Sequence, residues 1–158
     1  MRYCILALLV IGCGSDVNVA GNYTVAVTNG ENGCNLQNWN VGNSASGIPL
    51  MITQNGSALT ATVNGLTGSY LNLVLGSSAF TGTVSGNDIN LRLVGTRTGN
   101  MASCAYTVNA NVSAVLDGDI LQGSINYVPQ TNHSTDCGVL SSCQSVQAFN
   151  GTRPPTTH

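Results

Sequence analysis

The sequence predicts an all-β fold, an eight-stranded antiparallel up-and-down β-barrel, and three observations carry that prediction. Apolar residues recur with a period of two from Asn22 onward. Tight-turn signals alternate along the chain with long connections. Only 6% of the residues are charged, and the polar remainder is dominated by Ser, Thr, Gly and Asn, which favour turns and short strands over long helices.

The period of two places each strand. Tyr23, Val25 and Val27 alternate with Thr24, Ala26 and Thr28; Leu59, Ala61 and Val63 alternate with Thr60 and Thr62; Ile89, Leu91 and Leu93 alternate with Asn90 and Arg92. The longest run sets Tyr106, Val108, Ala110, Val112 and Ala114 against Thr107, Asn109, Asn111 and Ser113, the pattern of a half-buried strand. Eight strands are expected, at residues 22–29, 47–54, 57–64, 78–84, 88–95, 104–116, 119–128 and 143–151. Asn55-Gly56, Ser85-Gly86-Asn87 and Asp117-Gly118 read as hairpin turns, because these residues tolerate positive φ. The connections 30–46, 65–77, 96–103 and 129–142 are long. In a meander, alternate connections lie at opposite ends, so one end is trimmed and the other carries every long loop. Within 66–76, Leu71, Leu73 and Leu75 have strand spacing, whereas Leu66, Tyr70 and Leu73 suit a helical turn. A loop or short helix is preferred, because an even strand count lets the last strand close on the first and leaves no exposed edge.

The N-terminus reads as an address. After Arg2, the apolar run Tyr3 to Ile11 is too short to cross a bilayer as a helix, which needs about 20 residues, and an export signal is favoured. Val10-Ile11-Gly12-Cys13 resembles the lipobox of bacterial lipoproteins. That resemblance implies cleavage before Cys13, acylation of Cys13 as the membrane anchor, and a place in the bacterial cell envelope. Gly14, where Asp resembles an inner-membrane retention signal, points to the outer membrane. The expected organisation is a signal peptide over 1–12, a tether over 13–21, the barrel over 22–151 and a disordered tail over 152–158. A membrane-spanning barrel is disfavoured by strands of mostly 7 to 8 residues and by the lack of aromatic girdles.

Four cysteines then remain for an oxidising compartment, and two disulfides are expected. Their spacing contains no C-x-x-C pair and the two His complete no zinc pattern, so no metal is expected. Closing the barrel puts all four at the long-loop end: Cys104 opens a strand whose hairpin partner leads into the loop of Cys137, and Cys143 opens the final strand beside Cys34. Topology therefore pairs Cys34 with Cys143 and Cys104 with Cys137.

Gly21-Asn22-Tyr23 at the first strand, with Arg153 just after the last, resembles the calycin signature of lipocalins and avidins, with Tyr in place of Trp. The resemblance implies a lipocalin-like barrel in which Arg153 packs on the Tyr23 ring, and binding of ligands or partners at the loop end.

Four scattered Arg and no Lys leave no basic stripe for nucleic acid. His133-Ser134-Thr135-Asp136-Cys137 holds the groups of a hydrolase, but neighbours on a loop do not make a triad. Asp117-Gly118-Asp119 falls short of the 6 to 8 oxygens that calcium takes. No enzyme activity and no cofactor are expected. Trp39, in the longest loop among amide side chains, is the candidate contact for a ligand or partner; the favoured reading is an apolar plug folded into the mouth, because an eight-stranded barrel is just wide enough to be filled by its own side chains. The functional expectation is a non-catalytic, envelope-anchored binding module whose long-loop end takes a small apolar ligand or a protein partner. The alternative is a structural or surface-coat lipoprotein with no specific ligand.

Overall fold

The computed structural model describes residues 17–155. Nine strands form one antiparallel sheet: β1 Gly21–Asn32, β2 Ser44–Asn55, β3 Ala58–Val63, β4 Ala79–Ser85, β5 Asp88–Leu93, β6 Gly99–Met101, β7 Cys104–Asp117, β8 Ile120–Thr131 and β9 Ser145–Thr152. The order is β5-β4-β3-β2-β1-β9-β8-β7-β6, and an added β5–β7 pairing closes it. Eight strands thus make the barrel, the last pairing with the first, as the alternation of short and long connections predicts. The helix α1, Gly65–Val74, fills most of the connection between β3 and β4, where a loop or short helix is expected. A short 3₁₀ segment, Thr135–Ser141, lies between β8 and β9.

The strands depart from expectation mainly in length. β1, β2 and β8 run 12 residues and β7 runs 14, extending toward the long-loop end. Residues 99–101, expected as loop, form β6 on the upper part of β7, where β5 has already ended. The three short turns match their chemistry: Gly56, Gly86 and Gly118 have φ of 60°, 57° and 59°, a conformation that costs glycine nothing.

Alternation sorts the faces. Phe80, Ile89, Leu91, Val112, Ala114 and Leu121 point into the barrel and are buried. Asp88, Asn90, Arg92, Ser113 and Gln122 point out and are exposed. An apolar interior within a polar exterior is the reverse of a lipid-facing barrel. Gly82 faces inward for a different reason. A Cβ there lies 2.0 Å from the Asn90 carbonyl oxygen, so only glycine allows β4 and β5 to cross this closely.

The tight-turn end is sealed from two directions. Val17 and Val19, within the expected tether, pack on the core, and Val19 is fully buried. The Val17 N–H donates to the Gly86 carbonyl, and the Gln54 side chain brackets the segment, accepting from Val19 N–H and donating to the Val17 carbonyl. Arg153, expected in a disordered tail, is held from several sides. Its Nε donates to Asp119 Oδ1 at 2.8 Å, and Nη1 donates to the carbonyls of Asn18 and Ala20. Its guanidinium carbon lies 5.7 Å from the centroid of the Tyr23 ring. The Tyr23 hydroxyl in turn donates to the Val19 carbonyl. Cys13 lies outside the described residues.

Two disulfides brace the opposite end. Cys34 is bonded to Cys143 and Cys104 to Cys137, with Cα separations of 5.0 and 4.9 Å. Both join segments that the meander already brings side by side.

Candidate functional site

The barrel interior is filled at the tight-turn end and hollow above it. Val19, Tyr23, Leu59, Val84 and Leu116 are buried below. Above them lies a cavity of about 280 Å³. Its wall is aliphatic and aromatic, with Val25, Ile48, Phe80, Leu91, Val112 and Phe149 among the lining residues. Among the described residues no charged side chain lines it. The opening is at the long-loop end, where α1 supplies Thr67, Tyr70 and Leu71. Tyr70 is 62% exposed while lining the cavity, so the space communicates with the surface beside it.

The helix sits there because its sequence divides its faces unevenly. Leu71 packs on the core and Gly68 presses on the backbone: a Cβ at Gly68 falls 2.1 Å from the Val63 carbonyl oxygen. Leu66 and Leu73 point away and are 91% and 71% exposed. The helix therefore rests on the mouth through a narrow contact and presents an apolar outer face. No charged residue occurs in Gly65–Val74.

Polar groups converge at one place in the wall. Tyr127 of β8 and Gln147 of β9 both line the cavity. The Tyr127 hydroxyl donates to Gln147 Oε1 at 2.7 Å, and Gln147 Nε2 donates to Asn29 Oδ1 at 2.7 Å. Asn29 and Gln147 are direct cross-strand partners. Burial above all, and then the neighbouring Tyr70 phenol, push the Tyr127 hydroxyl well above its ordinary value, so it stays neutral.

Trp39 stands behind this group and not in the cavity. Its indole N–H donates to the Gly30 carbonyl at 3.0 Å, and its ring meets Tyr127 edge-on with centroids 5.7 Å apart. It does not line the cavity, so the expected plug is corrected to a buttress. The cause is the folding of its loop. Asn32 holds Leu36 through both ends of its amide, Asn29 pairs with Gly42 and Asn43, and Cys34 is pinned by its disulfide. Asn35 and Asn38 take up positive φ, turning the chain back on the end of β1.

The segment 133–137 is committed to local structure. The Asp136 carboxylate accepts from the Ser103 hydroxyl and N–H, which lower its pKa. Ser134 caps the 3₁₀ segment by accepting from Asp136 N–H, and Cys137 is in its disulfide. His133 is exposed, with its backbone N–H donating to Thr131. Asp119 serves Arg153 at the other end.

The geometry defines a class: a closed, disulfide-braced β-barrel with one apolar cavity opening among its long loops. Beyond that class, the chain matches no protein-family model, no curated protein and no solved structure.

Proposed function

We propose that this protein is a non-catalytic binding module that holds a small apolar molecule in its barrel and is anchored to the bacterial cell envelope through acylated Cys13. The observation that carries the reading is the uncharged, apolar cavity open at the loop end. A water-exposed apolar space of this kind favours an apolar occupant, and at about 30 Å³ per water-sized unit it suits about nine or ten non-hydrogen atoms. Pockets for small ligands share this make-up, an apolar wall with a few placed polar groups. Arg153 over Tyr23 supports the calycin-like side of the reading.

The anchoring half rests on the lipobox resemblance and on where the chain enters the barrel. Val17 is fixed at the tight-turn end, four residues after Cys13, a distance that an extended chain spans in at most about 13–14 Å. An anchor at Cys13 therefore holds that end against the bilayer and turns the cavity mouth away from it. Native mass spectrometry of the protein purified gently from its own envelope tests the binding reading. A folded species heavier than the unfolded chain by one small neutral molecule is expected; identical masses in both states, with no uptake of an added apolar probe, contradict it.

A further inference from the structure

Resting on the cavity reading above, we infer that the site selects neutral molecules bearing a hydroxyl, held by Tyr127 and Gln147. The argument is one of donors and acceptors. Tyr127 has a single hydroxyl proton, and it is spent on Gln147 Oε1. With that proton spent, the phenolic oxygen of this cavity-lining residue has only lone pairs to offer a ligand, and asks for a donor. Gln147 Nε2 carries two protons, one of which goes to Asn29 Oδ1. The other is left for an acceptor. A hydroxyl is the smallest neutral group that both donates and accepts, and so answers both.

Charge selects in the same direction. Among the described residues no Arg, His, Asp or Glu lines the cavity, and the chain contains no Lys. A carboxylate or ammonium brought inside would lose its hydration with no opposite charge to replace it, a heavy cost. Trp39, packed on the Tyr127 ring and bonded to Gly30, holds the phenol in place before any ligand arrives. Such preorganisation reduces the ordering cost of binding. The ligand class is therefore an alcohol or phenol with an apolar body of about nine or ten non-hydrogen atoms in all, its hydroxyl on the β8–β9 side of the wall.

Four probes of the stated size test this: ethylbenzene, 4-ethylphenol, 4-ethylanisole and 4-ethylbenzoate, titrated at pH 7 into the full barrel with its disulfides intact and followed by NMR shifts. The net worth of a hydrogen bond predicts that 4-ethylphenol binds about 3- to 10-fold more tightly than ethylbenzene. The anisole, which cannot donate, should show no such gain, and the benzoate should not bind. In Tyr127→Phe the ratio of the 4-ethylphenol and ethylbenzene affinities should fall to about one. Should that variant fail to fold, the anisole comparison on the unaltered protein still decides. Ethylbenzene binding as tightly as 4-ethylphenol, or an anisole equal to it, overturns hydroxyl selection and leaves the apolar cavity standing; binding by none of the four overturns both.

Discussion

Arg153 spends its guanidinium on Asp119 and two backbone carbonyls while only 7% of its side chain is exposed. Its removal takes the partner from a half-buried Asp119 carboxylate and from two backbone carbonyls, and opens the packing on Tyr23. Arg153→Ala should therefore lower stability by about 1–3 kcal/mol, read as a shift in urea midpoint with little change in slope; a loss within about 0.5 kcal/mol, the range of ordinary surface changes, contradicts this role. Two tyrosines, the buried Tyr23 and the partly buried Tyr127, make a second prediction at this scale. Burial is the main cause that raises both Tyr23 and Tyr127 above the ordinary value of 10.0. The folded state thus keeps protons that the unfolded chain releases from about pH 10. Stability from these groups is complete below that pH and is lost as pH rises toward the raised values. Thermal unfolding measured from pH 8 to 11.5 should show a decline beginning near pH 10, with Tyr23 and Tyr127 resisting ionisation in the folded protein. At the residue scale the sequence was partly legible. Arg153 over Tyr23 followed from a resemblance, whereas Val17 and Val19 carry the strand period over too few residues to distinguish a seal from a tether.

Each strand had a readable inner face, because alternation reports which side is buried. It does not report how much space the faces enclose. Gly82 sits on that inner face, and its lack of a side chain suggests room for a ligand; the backbone of β5 already occupies the position of its Cβ. Gly82→Ala should cost about 1–3 kcal/mol through displacement of the β4–β5 pair, measured by urea unfolding, and a neutral result would mean that the strands yield there. The Tyr127–Gln147–Asn29 chain was illegible for a related reason. It depends on register, and β1 shifts register against β2 between Val25 and Val27 and against β9 between Asn29 and Asn32. A period of two carries no sign of such irregularities. Trp39 was singled out by its setting among amides, but its final position depends on Asn35 and Asn38 reversing the chain, a choice that residue type permits without dictating.

Across the whole molecule the two ends are built for different tasks. One is closed by Val17, Val19, Tyr23 and Arg153; the other is braced by disulfides around an opening. Closure, strand order and cysteine pairing were legible because alternating short and long connections leave few topologies. The cavity was not, being a difference between barrel width and side-chain volume. The proposed anchor predicts that Cys13→Ser moves the protein from the membrane fraction to the soluble one, since acyl chains supply the attachment; continued membrane association of that variant removes lipidation from the account. The central claim, that the hollow of the barrel is the binding site, is met most directly by intermolecular NOEs from bound ethylbenzene. The account predicts contacts to the methyl groups of Leu91, Val112 and Ile125, which line the cavity. Contacts confined to Leu66 and Leu73 on the outer face of α1, or none at saturation, would contradict it.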